Sequence, residues 1–492
     1  MEEILYTALD YYKGIEFSDF YNSSMRAAAI GMFLSLFLTN LLSFLAIKKY
    51  LFKRKFSQSK KLALMNHAPG ISMITGAYNE SVTIIDNVHS LLSINYHKFE
   101  LVVVNDGSSD DTLDKLIKEF KLEETKYIFE TIVQSSPIRG IYRSTDMAYK
   151  NLVVIDKFNG GGKADAINAG LNIAKYDYFL NIDVDCVLDF DTLLIMMDVV
   201  LNEKKRCIGV GATLRMSNSS FVNRGTMENV GVPKKLLVRF QELEYIRSFV
   251  LGKMAWSYLN AVPNISGGLG LFDKEIVLKI GGYDKNSLGE DMDLVFRMVG
   301  YMQETNQPYC VRSVPRTLCW TEGPETLQIL VRQRIRWSRG LFQILKKNKK
   351  VFLNPKYGRM GFIIFPYNLF FEFLSPFVEF IGIFVLIYSY FYDPVAFMNI
   401  LYLIIAVISF YIGLSFSAVF LDRKIFNYYK NGFVTLGIAA MAIIEPFIYH
   451  PIIVYCSLKG YYDELTGKKK KWGVMTRKGF NKTNKNYEKL LV

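Results

Sequence analysis

Two aspartates one residue apart, Asp183 and Asp185, directly follow the apolar run Tyr178 to Ile182. Carboxylates at that spacing repel each other unless a cation or solvent separates them. Mg²⁺ takes one or two carboxylates and completes its shell with phosphate oxygens and water, so the pair suits a divalent metal carrying a phosphorylated substrate. Upstream, Asn159-Gly160-Gly161-Gly162-Lys163-Ala164-Asp165 opens a helix. Three glycines let backbone approach a ligand, Lys163 offers a point charge for phosphate, and the helix start adds its positive dipole end. A flexible loop with a helix cap is the plainer reading. The spacing of a Walker A loop is absent. Gly289-Glu290-Asp291 begins an amphipathic helix, where acids either complement the dipole or offer a carboxylate that takes a proton from a sugar hydroxyl. Gln333, Arg336 and Trp337 lie at i, i+3 and i+4, on one helical face. Arg grips phosphate in a fork and an indole offers a flat face to a sugar ring, so this face suits a diphosphate sugar. Arg332, Arg334 and Arg339 beside them read as snorkelling residues of a helix at a membrane surface.

Elements that could hold these groups alternate along residues 62–350. Ile71 to Gly76, Leu101 to Asn105, Leu152 to Asp156 and Tyr178 to Asp183 read as strands, with helices over Ser81 to Leu92, Asp111 to Phe120 and Lys163 to Ala174. The alternation predicts an α/β sheet, largely parallel, with ligands at the carboxyl ends of its strands. Thr75-Gly76-Ala77-Tyr78-Asn79-Glu80 and Asn105-Asp106-Gly107-Ser108 sit at two such ends, although Asn-Asp-Gly alone is more often a turn with a helix cap.

The rest of the chain is membrane-like. Of 492 residues 51% are apolar and 21% charged, too greasy for an ordinary soluble protein and too charged to be membrane throughout. Residues 27–47 are a charge-free run long enough for one transmembrane helix, and its acidic leader argues against a secretory signal. Lys48, Lys49, Lys53, Arg54 and Lys55 follow it and predict that this side is cytoplasmic. Further spans are expected near 376–391, 396–420 and 433–457, before a basic tail that also reads as inside. One span before the domain and three after it would leave the tail outside. Either residues 361–375 cross as well, or the last segment breaks at Pro446 and Pro451. The domains expected are thus 1–61 with one span, 62–350 catalytic, 351–457 interface and membrane helices, and 458–492 the tail. The 59 Lys and Arg against 46 Asp and Glu lie largely beside the spans, which points to anionic lipid and away from nucleic acid. The five cysteines form no paired spacing and suit a reducing compartment.

In order, Val103-Val104-Asn105-Asp106-Gly107-Ser108, Gly161-Gly162-Lys163-Ala164-Asp165-Ala166, Asp183-x-Asp185, Gly289-Glu290-Asp291 and Gln333-x-x-Arg336-Trp337 resemble the processive family 2 glycosyltransferases, membrane-embedded synthases of cellulose, mixed-linkage glucan, chitin, hyaluronan and poly-N-acetylglucosamine. The resemblance implies a cytoplasmic GT-A (Rossmann-like) domain joined to transmembrane helices in the plasma membrane, and a reaction that elongates a nascent polysaccharide from a UDP-sugar with Mg²⁺ or Mn²⁺. It implies that Tyr78, Glu80 and Asp106 hold uridine, that Lys163 and Asp165 line the diphosphate pocket, and that Asp183 and Asp185 form the metal-diphosphate site. Asp291 would be the catalytic base supported by Glu290, Gln333 and Arg336 would contact the diphosphate, and Trp337 would bind the acceptor. Phe240-Gln241-x-x-Glu244-Tyr245 looks like the family's helix beside the acceptor. Lys471-Trp472-Gly473-Val474-Met475-Thr476-Arg477 resembles a gating loop, departing from the pattern at Trp472 and at Met475-Thr476-Arg477. The Gly-Glu-Asp form looks closer to the glucan and poly-N-acetylglucosamine groups than to hyaluronan synthases; UDP-glucose and a β-glucan are the reading taken, with UDP-N-acetylglucosamine as the alternative donor and a non-processive lipid glycosyltransferase as a further alternative. Cyclic-dinucleotide control or other regulation would fall to accessory subunits.

Overall fold

The computed structural model describes residues 2–55, 68–223, 226–426, 429 and 432–468; Trp472, Thr476 and Arg477 lie outside them. Beside a separate two-stranded sheet of β9 (Phe221–Asn223) and β10 (Thr226–Asn229), the expected strands form the centre of a ten-stranded one. Here β5 (Leu152–Lys157), β2 (Phe99–Asn105), β1 (Ile71–Ala77) and β6 (Tyr178–Asp183) run parallel. They are rich in Val, Ile and Leu because both faces are covered, and β2 is buried at every position. Alternate residues feed two cores: Met73, Leu101 and Val103 face one, Ile74, Val102 and Val104 the other. The helices Ile84–Leu92, Thr112–Phe120 and Lys163–Ile173 form where the apolar spacing predicts them.

The sheet as a whole is mixed, which corrects the expectation of a largely parallel one. On one flank β3 (Leu122–Glu124), β4 (Ile138–Ser144) and β5 pair antiparallel. On the other, β11 (Leu269–Asp273) returns after an excursion through helices at 236–259 and enters antiparallel between β6 and β8 (Arg206–Met216). There β12 (Tyr309–Thr321) pairs parallel with β8 and antiparallel with β7 (Val187–Leu188). In the parallel centre, Ala77 sits opposite Asn105 and Gly76 opposite Asp183, so the polar loops after β1, β2 and β6 open at one edge.

Four helices are long and apolar enough to cross a membrane: Ala29–Lys53, Met360–Tyr392, Pro394–Phe426 and Gly432–Leu465. Residues 360–374 run as π and α turns straight into the helix Ser375–Tyr392 and make no separate crossing. Nor does the last helix break: Gly432–Leu465 continues through Pro446 and Pro451. It differs from the two before it in lying against the catalytic domain, with 39% of its most apolar window buried against 6% for each of them. Glu445 takes Arg247 at 2.7 and 2.8 Å, Tyr449 donates to Glu244 at 2.7 Å, and Glu464 takes Arg339 at 2.9 Å. Arg215, fully buried in β8, ties Glu242 to Asp422 at the end of Pro394–Phe426. The middle and the C-terminal end of Gly432–Leu465 therefore meet the domain.

Candidate active site

At the end of β1 the Tyr78-Asn79-Glu80 turn is fastened to the loop after β2. Asn79 accepts from the Ser109 N–H at 2.8 Å and donates its own N–H to the Ser108 hydroxyl at 3.0 Å, while the Glu80 N–H reaches the Thr112 hydroxyl at 3.0 Å. Tyr78 stands half exposed at this rim, and Glu80 accepts from Thr83 at 3.0 Å. Asp106 lies beneath, 5% exposed, with one oxygen shared by the Lys157 ammonium and the Gly160 N–H. Lys157 is fully buried and also reaches Asp165 at 2.7 Å. The second partner of Asp165 is the Ser136 N–H, at 3.0 and 3.1 Å. Asp165 is 1% exposed, so it braces the glycine loop from behind with its carboxylate turned inward, where the sequence suggested a pocket-lining group.

Lys163, first residue of its helix, ion-pairs with Asp183 and donates to the Gly267 carbonyl at 2.6 Å. Burial alone would pull its ammonium down, but Asp183 pushes it above its ordinary value. Asp183 and Asp185 offer carboxylate oxygens within 4.8 Å of each other, and neither residue is fully buried. Two hard oxygen donors at the mouth of a cleft fit Mg²⁺ or Mn²⁺. The third group within that radius, the Cys186 thiol, is held well above its ordinary range by its hydrogen bond with Cys319 and by burial, and does not suit a hard ion.

The donor side and the Glu290–Glu304 helix meet at one residue. Gly267 accepts from Lys163 and, at 3.3 Å, from Asn181, while its own N–H donates to Asp291 at 3.2 Å. The other Asp291 oxygen accepts from the Met292 N–H at 2.8 Å, which fixes the carboxylate at the helix start. Burial pushes the neighbouring Glu290 up, against the pull of Arg336, whose guanidinium lies 3.7 Å away. Arg336 also donates to the Leu288 carbonyl at 3.4 Å. Its helix, Leu327–Lys347, touches the turn at Gly289 backbone to backbone: a Cβ on Gly340 would sit 2.7 Å from the Gly289 nitrogen.

One turn along that helix face, the Gln333 oxygen is buried without a hydrogen-bond partner among the described residues, a site that a ligand donor could fill. Trp337 is 38% exposed, with the Arg334 guanidinium 4.2 Å from its ring centre. Arg334 is 5% exposed and bidentate to Glu244 at 2.6 and 2.8 Å, and Arg339 is 8% exposed on Glu464. This corrects the snorkelling reading for both; Arg332 alone of the three is exposed. Tyr245 lies in the field of Arg334, Glu244 and Asp183, between the aspartate pair and this helix.

No local sequence signal singles out Lys157, Lys253 or Gly267. Lys253 ends a π-helical turn, Arg247–Lys253, an irregularity frequent at functional sites. Burial pulls its ammonium down to about 8, against the charge of Asp291.

The mixed α/β sheet, with an aspartate pair and an opposed carboxylate at its polar edge, has the GT-A glycosyltransferase fold. A mannosyltransferase from Pyrobaculum calidifontis, solved with GDP-Man and Mn²⁺, shares this fold with a TM-score of 0.50 at 16% identity, over 90% of this chain and all of that one. Residues 72–262 match glycosyl transferase family 2, and residues 227–416 match glycosyl transferase family group 2. Together the two matches span residues 72–416, and both describe glycosyl transferases of the family 2 group. Poly-beta-1,6-N-acetyl-D-glucosamine synthase of Staphylococcus aureus (strain COL) is 27% identical over 295 residues, 60% of each chain. That of Staphylococcus epidermidis is 29% identical over 280 residues, 57% of this chain and 56% of the relative. The chain thus spans less than two thirds of the length of these relatives.

Proposed function

We propose that this protein polymerises N-acetylglucosamine from its UDP-activated form into a β-linked chain and passes the chain through the plasma membrane. The observation that carries the reaction is the convergence of Lys163 and Asp291 on Gly267, which brings a phosphate-binding cation and a proton acceptor to one point. Asp291 accepts the proton of the acceptor hydroxyl as that oxygen attacks C1 of the donor. Lys163 and Arg336 face the charge that grows on the departing diphosphate, and Glu290, held beside Arg336, steadies that guanidinium. A divalent cation held by Asp183 and Asp185 supplies further positive charge to the same leaving group when bound. Tyr78, Glu80 and Asp106 hold the uridine edge, braced by Asp165 through Lys157; Gln333 adds a diphosphate contact, and Trp337, with Glu244 and Tyr245 behind it, receives the acceptor. A single displacement turns the donor's α-linkage into β.

N-acetylglucosamine replaces the glucose favoured from sequence because both named relatives are poly-N-acetylglucosamine synthases. The membrane reading uses three crossings, Ala29–Lys53, Ser375–Tyr392 and Pro394–Phe426, with Gly432–Leu465 as a non-crossing helix packed between the catalytic domain and the latter two, where His450 pairs with Glu379 and Tyr411 donates to Glu445. That arrangement puts the catalytic domain and the basic tail on one side and removes the parity conflict. The experiment is Asp291→Asn in purified protein given radiolabelled UDP-N-acetylglucosamine and, in parallel, UDP-glucose. Insoluble β-linked product from the first donor, lost in the variant while UDP still binds, supports the proposal. Product from glucose alone reverses the donor, and unaltered synthesis by Asp291→Asn removes Asp291 as base. Product size on a gel separates a polymerase from a single-addition lipid transferase.

A further inference from the structure

A second cavity, of about 120 Å³, lies away from the catalytic edge, where the Ala29–Lys53 helix leaves its apolar stretch and meets the domain. Its floor is apolar, made by Ala46, Ile195, Val199 and Met254. Its rim is basic. Lys49 stands exposed 5.8 Å from the Tyr258 ring centre and makes no ion pair among the described residues. Lys53 and Arg312 share one carboxylate, Glu203, at 2.8 and 2.9 Å. Asp198, the other acid of the lining, accepts from Asn202 at 3.0 Å, so three cations face two carboxylates. Inside, Ser313 is 6% exposed and its hydroxyl has no hydrogen-bond partner among the described residues. A buried hydroxyl left unpaired costs on the order of 1–3 kcal/mol, which a ligand oxygen would recover.

We propose that this cavity binds an anionic membrane phospholipid, the phosphate against Lys49 and Ser313 and the start of an acyl chain on the apolar floor. Three observations favour a lipid over a free anion. Phe44 and Phe52 on the same helix are 54% and 63% exposed, which marks the level of the hydrocarbon boundary. The floor residues offer nothing to inorganic phosphate. The excess positive charge lies on the side that the basic juxtamembrane run assigns to the anionic cytoplasmic leaflet. The site is separate from Asp291 and the aspartate pair, and it stands whatever the donor sugar proves to be.

The test uses the full chain in lipid nanodiscs containing a phosphatidylglycerol analogue with a photoactivatable group near the top of one acyl chain. Labelling is expected on peptides holding Ile195, Val199 and Met254. It should fall about tenfold or more in Lys49→Glu, since each basic residue near the surface contributes about 1 kcal/mol and reversal removes and opposes it. Tyr258→Ala, which removes the ring beside Lys49, should lower labelling as well, and UDP binding should be unaltered in both variants. Equal labelling in wild type and Lys49→Glu, or labelling spread evenly over all apolar helices, overturns the proposal. Loss of labelling on addition of inorganic phosphate at constant ionic strength overturns it too, by showing an anion site indifferent to lipid.

Discussion

Gly340→Ala should cripple turnover with a much smaller loss of nucleotide affinity. Gly340 lies in the helix that carries Gln333, Arg336 and Trp337, and Gly289 opens the helix that carries Glu290 and Asp291. A Cβ on Gly340 would lie 2.7 Å from the Gly289 nitrogen and 2.9 Å from its Cα, with the Leu288 carbonyl carbon at 3.1 Å. These are backbone atoms with no rotamer to escape into. Restoring ordinary contact near 3.4 Å requires the two elements to part by roughly 0.7 Å. Misplacement by about 1 Å can cost about a hundredfold in rate, so a fall in kcat of about ten- to a hundredfold is expected. Overpacking costs about 1–3 kcal/mol, partly offset by the roughly 1 kcal/mol that Ala gains over Gly inside a helix. The fold should survive. UDP affinity should fall less than turnover, because the Asp106 and Lys163 contacts lie outside the displaced seam and only the diphosphate contacts of Gln333 and Arg336 move with the helix. Gly300→Ala is the control: it sits in the same helix as Asp291, nothing lies within 4 Å of its added Cβ, and it should be neutral or stabilising. The assay is incorporation of radiolabelled sugar with kcat and KM separated, beside UDP titration and thermal unfolding. Wild-type turnover in Gly340→Ala would refute the reasoning, since catalysis would then tolerate a shift between base and acceptor helix.

Lys253→Met should stabilise the protein at pH 7, seen as a raised Tm. A folded-state value near 8 against an ordinary 10.5 means that burying the ammonium costs on the order of 3 kcal/mol below pH 8. The unfolded chain binds more protons between about 8 and 10.5, so wild-type stability from this group rises with pH across that window, and the variant should lack the rise. Lys157→Met should destabilise by about 3–5 kcal/mol, because Asp106 and Asp165 would be left buried without their shared cation; denaturant unfolding reads this directly. Chelation of divalent ions should stop polymer synthesis, with Mg²⁺ or Mn²⁺ restoring it, and Asp185→Asn should abolish the restoration.

How far the sequence reveals these features depends on whether a signal is local. β1, β2, β5 and β6 were legible because each is a continuous apolar run ending in polar residues, the mark of a strand buried on both faces. The antiparallel flank was not. Gly209 and Gly211 interrupt β8, β11 has only five residues, and the pairing of both is set by contacts far apart in sequence. Asp183 and Asp185 stood out because two carboxylates at i and i+2 follow an apolar strand, whereas Asp291, one of several acids at helix starts, stood out through its place in the ordered set of motifs. Lys157 did not, since a lone lysine at a strand end resembles a solvated one until Asp106 and Asp165 close around it. Arg334 misled for the same reason: with Arg332 and Arg339 it reads as a snorkelling residue at a membrane surface, and only Glu244, ninety residues earlier in the chain, makes it a buried anchor.

The Leu327–Lys347 helix is clamped from two sides, and the clamps do different work. On one side Gly340 meets Gly289 with no side chain between, so the distance from Arg336 and Trp337 to Asp291 is set by backbone contact, the stiffest contact available. On the other side its anchors are ionic and reach elements that face the membrane: Arg334 to Glu244 and Tyr449, Arg339 and Gln343 to Glu464. Gly460 completes this second seam, where a Cβ would lie 2.8 Å from Ser338 and 2.9 Å from the Ile335 carbonyl. Rigid packing toward the base and paired charges toward the Gly432–Leu465 helix make one element the reference for both. On the proposed function, a glycan leaving Asp291 along Trp337 meets the helix Gly432–Leu465 at a height set by these two glycine contacts, and a substitution at either seam should alter transfer and export together.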